Sequence, residues 1–550
     1  MRGENGLWLR LSMILLCLFV SIALAARGAD AEVTVQQFGA KGDGVTDDSK
    51  AFQDALSSHA AHAAAVFAPS AKYRLSSGLV IPPGKTLYGE GFIPSSSAVP
   101  AGTTLVFGPD VQTCLMLNGN SWALAASAHD LIITRAKGAV PESSIGVLTQ
   151  NGYNPQLYNV LSMRQAVGFY FLADALGISC SPTGIFTSQI TDAHVVVDSW
   201  PELRCIQSRF GSNGPYDVPC NAYVRLTGGG AGGSGPNGIS FVNCQFNQGE
   251  SAGNVVGAFL DFRSLGPSQG YNVGQFDFTN CHIENAAVVV STDSSVSILD
   301  RLALTSDVFQ DNPGTGTFFS LSGATALNNF RMANCALTTN TFSLAPSQQI
   351  NSFLVSNTVF GGNCSITGVG NSTVSFQGCA YQNGLKIAGS FGRAIFSGVL
   401  SGGNVINTAT SPVQIDIPGA SMTPGPAPGI TFGGRNTGVT YTLRQSQWKM
   451  TGNIITYEFE IALSDKGTST GYAQLTGLPF QPNGYYAPAG GGAVVYATSM
   501  NGLTGPLLMS VAPGTTSANI YQYGPSGIQV VTNANFTNGS VIYGTIEYPW

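Results

Sequence analysis

Phe278-Thr279-Asn280-Cys281-His282-Ile283 sets one short apolar alternation before an asparagine and a second one after it. The arrangement recurs at 241–246, 304–309, 332–337, 355–360 and 376–381. Its turn positions, 243, 280, 306, 334, 357 and 378, lie 37, 26, 28, 23 and 21 residues apart, about one coil of a solenoid each. A strand of a few residues cannot bury an apolar face alone, whereas stacked on like neighbours it can. The pattern predicts a solenoid of stacked strands, with coils from about residue 96 to 405. Asparagine suits the turn because it tolerates the left-handed conformation and its amide can bond its counterpart in the next coil.

Working outward, residues 1–31 read as a secretory signal. Arg2 and Arg10 form a basic start, an apolar run covers 11–26, and Ala29-Asp30-Ala31 ends it. Export to the extracellular space or periplasm is expected, with no membrane attachment after cleavage. Charged residues are 9% of the chain, glycines number 69, and the net charge is −6, which favours an all-β extracellular protein and gives no footprint for nucleic acid. The five histidines show no ligand spacing, His59 and His62 reading as surface residues, so neither metal nor cofactor is expected. Cys244, Cys281, Cys335 and Cys379 follow the turn and should be buried, inert thiols; among Cys180, Cys205 and Cys220 one disulfide is expected.

At the other side of the signal, a strand at 33–38 precedes Gly39-Ala40-Lys41-Gly42-Asp43-Gly44-Val45-Thr46-Asp47-Asp48. Thr46 is the expected helix cap, Asp47 and Asp48 favour the helix dipole, and Phe52, Ala55 and Leu56 fall on one helical face, fit to plug the end of a solenoid. This string, followed by Val66-Phe67-Ala68-Pro69, Tyr73, Pro83-Gly84 and Leu87-Tyr88-Gly89-Glu90-Gly91, resembles the amino-terminal signature of the pectate-lyase-like superfamily, which includes rhamnogalacturonase-related glycosidases and phage tailspikes. The resemblance implies a right-handed parallel β-helix with a short capping helix, over residues 32–410. A Pro- and Gly-rich linker is expected at 411–429. Residues 430–550 alternate apolar and polar as half-buried antiparallel strands do, and resemble the β-sandwich of phage tail fibres. That likeness implies a homotrimer or glycan binding.

The outer face of the coils is the expected place for chemistry. If Phe276 and Phe278 face in, Asp277 faces out; if Cys281 and Ile283 face in, His282 and Glu284 face out. In a chain poor in charge this coil alone concentrates three ionisable groups, so Asp277, His282 and Glu284 are the candidate acid–base residues, with Asp307 on the next coil. Arg301, His194 and Gln310 are candidate substrate contacts; Arg225 and Arg263 read rather as partners of Asp261, and Arg301 as a partner of Asp300. The polygalacturonase set with Gly-His-Gly and the pectate lyase Trp-x-Asp-His motif are absent, so neither activity is carried over. A polysaccharide is the expected partner and glycoside hydrolysis the expected reaction, with glycan binding alone or elimination, using His282 beside Arg301, as alternatives.

Overall fold

The computed structural model describes residues 32–550 apart from 59–64, 93–100, 119–124, 139, 151–153, 173–178, 200–201, 212–217, 229–235, 248–254, 266–271, 311–316, 324, 339–340, 412, 418–421, 452–453 and 483–489. The signal segment, His59, His62, the glycine-rich stretch at 229–235 and linker residues 412 and 418–421 lie outside this description. The chain divides into two compact units near residue 317.

The first unit is a parallel β-helix. Strands Asn237–Val242, Asn272–Thr279 and Ile298–Thr305 stack in parallel register, as do Gln245–Phe246, His282–Glu284 and Val308–Gln310. Between the two stacks stands the turn, and Asn243, Asn280 and Ser306 there have φ of 54°, 55° and 57°. Asn280 Nδ2 donates to Asn243 Oδ1 at 2.7 Å. Register carries the same corner upstream through Gln207, Gly184, Asn159 and Asp130, all at positive φ. These positions lack the Asn-Cys signature, although Asn159 Nδ2 still donates to Asp130 Oδ1 at 2.6 Å. Inside, Phe241 and Phe278 stack at 5.2 Å with rings 3° apart.

The second unit repeats the device. Asn334, Asn357 and Gly378 have φ of 55°, 48° and 62°, and the Asn357 amide donates to Asn334 at 3.3 Å. A Cβ on Gly378 would meet Asn357 Oδ1 at 2.7 Å, so glycine serves both the backbone and the space. Phe330 and Phe353 stack at 4.3 Å, and Phe376 and Phe396 at 5.1 Å.

At the amino end, Phe52, Ala55 and Leu56 on helix α1 (Ser49–Ser57) are buried, and Phe52 meets Tyr73 edge to face at 4.9 Å. Thr46 does not cap this helix. Its backbone and hydroxyl are held by Asp43, and Asp47 accepts from the Ser49 backbone instead. Asp48 accepts from the Lys41 and Gly42 backbones at 2.7 and 3.1 Å, tying the glycine turn to the helix start. The expected disulfide is also corrected: the nine described cysteines are all buried thiols, none of them in a disulfide. Each thiol in question meets a local acceptor; Cys180 Sγ, for example, donates to Pro155 O and Cys205 Sγ to Ser208 Oγ, both at 3.3 Å.

The carboxy-terminal strands form one antiparallel sheet, ordered Thr423–Pro424, Val439–Thr451, Ile454–Lys466, Phe536–Pro549, Gly490–Met500, Leu507–Val511, Ser517–Gly524, Ala473–Thr476 and Gly429–Phe432, with Gly527–Val530 beside Ser517–Gly524. Strands from both ends of this path share one apolar core, including Phe432, Tyr457 and Ile520. The sandwich is therefore a single sheet closed over itself.

Replacing Asn280 separates the two functions of the corner. Asn280→Gly loses the amide bond but keeps the favoured backbone; Asn280→Ala loses both. Alanine is expected to destabilise by about 1 kcal/mol more than glycine in urea unfolding. Equal losses would mean that the left-handed backbone is not the controlling cost.

Candidate functional site

Asp277 stacks between Ser240 and Ala303 and, with Phe276 and Phe278 buried, points outward as expected. Desolvation by the flank of the coil raises its carboxyl above the ordinary value, and solvent screens the effect because the side chain is exposed.

Past the Asn280 corner, Ile283 is buried and His282 and Glu284 share the outer side. His282 Nε2 lies 3.1 Å from Glu284 Oε1 and 3.1 Å from Gln310 Oε1. The two side chains are 36% and 11% exposed, respectively, for His282 and Glu284. Nε2 faces two acceptors and so carries the proton, which leaves Nδ1 to exchange one with solvent or ligand. The arrangement is a shielded carboxyl linked to a partly open imidazole. It can hold and pass a proton.

Two expected residues are corrected. His194 is buried, bonded to Thr187 Oγ1 at 2.6 Å, with its ring 5.1 Å from Tyr223. Register sets it opposite Tyr223, which lies opposite Phe259 in the next coil, and all three are buried, so this position of the strand faces the interior. Asp307 is wholly buried at the position that Cys244 and Cys281 occupy in the preceding coils. Its Oδ1 accepts from the Cys281 backbone at 2.7 Å and its Oδ2 from Thr305 at 3.1 Å. Ser208 does the same for Ile185 three coils earlier, at 3.1 Å. Asp307 thus satisfies corner N–H groups and cannot touch a substrate on the outer wall. Burial pushes its carboxyl up to about 7 against those two bonds. Arg301 bonds Asp300 at 3.2 Å and is not brought to His282.

A second outward cluster was only partly legible. Tyr170, Val196, Arg225, Asp261 and Ser291 occupy one position of successive coils. Arg225 forks onto Asp192 at 2.6 and 2.9 Å and reaches Asp261 at 3.2 Å, while Arg263 meets Asp261 at 2.8 Å. Burial would raise the Asp192 carboxyl, but Arg225 and Asn221 hold it below its ordinary value. Tyr170 donates to Asp198 at 2.8 Å. The pairing with Asp261 was expected; the fork onto Asp192, 33 residues away in sequence, was not.

Residues 33–191 match the family described as rhamnogalacturonase A/epimerase, pectate lyase-like. This stretch of the chain is similar to that family. No curated protein matches. Among solved structures, the Dettilon tailspike protein is similar at 12% identity and TM-score 0.49, covering 94% of each chain. A tailspike protein from Acinetobacter baumannii bacteriophage Fri1, a capsular polysaccharide depolymerase, is similar at 10% identity and TM-score 0.32, covering 95% of this chain and 86% of that one. The Streptococcus pneumoniae surface protein and adhesin PfbA is similar at 10% identity and TM-score 0.36, covering 72% and 99%. Likenesses at this level carry no argument about activity.

Asp307 gives a pH test. Its folded value near 7 exceeds the ordinary 3.8, so the folded state keeps a proton that the unfolded chain releases, and stability should fall as pH rises from about 4 to about 7. Thermal unfolding of Asp307→Asn should show a smaller loss of Tm across that window than the parent. An unchanged slope would remove Asp307 as its source.

Proposed function

We propose that the chain is an exported protein acting on an extracellular or capsular polysaccharide by glycoside hydrolysis. The observation that carries this reading is the His282–Glu284 pair: a carboxyl 11% exposed, held 3.1 Å from an imidazole open to the outer wall. In this reading Glu284 protonates the leaving oxygen, with the imidazole beside it exchanging the proton. Asp277, exposed on the same coil, is the second carboxylate of the reaction, acting on water or on the sugar. The Asp192–Arg225–Asp261–Arg263 cluster lies on the outside of the same unit and supports recognition of charged or hydroxyl-rich sugar units.

Elimination is the second reading, favoured by the unbonded His282 Nδ1, which could abstract a proton. The two are separated by incubating the protein with a panel of bacterial and plant polysaccharides. Hydrolysis yields new reducing ends without the absorbance of unsaturated uronates; elimination yields both; binding alone yields neither. Glu284→Gln and Asp277→Asn should each lower turnover at least about a hundredfold with folding intact. Full turnover in either variant would exclude that carboxylate.

No helix among the described residues is long and apolar enough to cross a membrane. On the carboxy-terminal sheet, Val495 and Tyr496 are 69% and 57% exposed on Gly490–Met500, which supports self-association, a homotrimer in the tail-fibre likeness. Sedimentation should find the parent assembled and Val495→Glu shifted toward monomer. A monomeric parent would sink the trimer.

A further inference from the structure

On the carboxy-terminal sheet, strand Ser517–Gly524 gives one edge to Leu507–Val511 and divides the other between two partners. Residues 517–519 pair with Ala473–Thr476 and residues 521–524 with Gly527–Val530. Where the partners meet end to end, Val531 donates to Ile520 O at 3.1 Å and Ala473 to Val531 O at 2.8 Å, so the ladder closes but the outer surface is notched. Ala473, Leu475, Ala518, Ile520 and Val531 are buried. Alternation therefore turns Tyr472, Gln474, Asn519, Tyr521 and Val530 outward, and these residues line a cleft with Ala473.

We infer that this cleft binds an uncharged pyranose unit of a glycan. It rests on the polysaccharide reading above and adds a site separate from the coil that carries His282 and Glu284. Tyr472 and Val530, 47% and 51% exposed, offer an aromatic ring and an apolar wall to the C–H face of a sugar. Gln474 Nε2 donates to Asn519 Oδ1 at 2.9 Å, their one side-chain bond, so the pair is oriented yet keeps unspent N–H groups on both amides and the Gln474 carbonyl. Adjacent donors and an acceptor match neighbouring hydroxyls, each of which donates and accepts. The lining residues carry no formal charge, so an acidic sugar gains no ion pair there.

The full chain is run through native gels containing a neutral polysaccharide (galactomannan, mixed-linkage glucan or dextran) or an anionic one (polygalacturonate or alginate). Retardation is expected in at least one neutral gel and should weaken roughly tenfold in Tyr472→Ala and in Asn519→Ala, with Tyr472→Phe close to the parent. Unchanged Tm in both alanine variants separates lost binding from lost folding. Migration free in every neutral gel, retardation confined to anionic gels, or retardation unaffected by both alanine variants would overturn the inference. Loss of reducing-end release without loss of retardation would instead overturn only the hydrolytic reading.

Discussion

From Asp130 to Gly378 the coils turn at residues held in the left-handed region, and that corner governs the rest of the β-helix. A non-glycine residue there costs about 1–2 kcal/mol of backbone energy, tolerable because the residue type and its neighbours return something for it. Asn280 and Asn357 each bond the equivalent asparagine of the preceding coil, and Gly378 accepts the conformation without a side chain. The corner also resets the alternation, deciding which residues of the following strand meet solvent. Asp277 before it and His282 and Glu284 after it are outward for that reason.

The residue after the corner faces inward, where its own problem is the corner backbone. Cys244, Cys281, Cys335 and Cys379 answer it by donating to the carbonyl two residues back, at 3.4 to 3.6 Å. Ser208 and Thr358 make the same bond at 3.0 Å. Asp307 inverts it, accepting where the others donate, and its raised carboxyl is the consequence of placing an acid in a thiol's position. Asp261, equally buried, meets two guanidinium groups instead. The contrast separates a carboxyl that serves the backbone from one that anchors a charged surface cluster.

The carboxy-terminal sheet solves a different packing problem and presents a different surface. Its antiparallel strands bury one face and leave the other to solvent, so outward side chains alternate along every strand. Where two short strands share one edge, that outward face is interrupted. The interruption brings together tyrosines and amides that are far apart in sequence, from Tyr472 to Val530.

The sequence by itself determined the coil repeat. All six turn positions read from it are left-handed, because the local demand for an αL residue flanked by apolar alternation is written in adjacent residues. It also placed the buried face of the capping helix and the outward direction of Asp277, His282 and Glu284. The tertiary structure alone decided what depends on register between coils. Register set His194 against buried Tyr223, stacking put Asp307 against the Cys281 backbone, and Asp43 drew Thr46 away from the helix start. Periodicity within a strand reports which way a side chain points; a bulge or a partner in the neighbouring coil is fixed by residues tens of positions away, and no local pattern carries it.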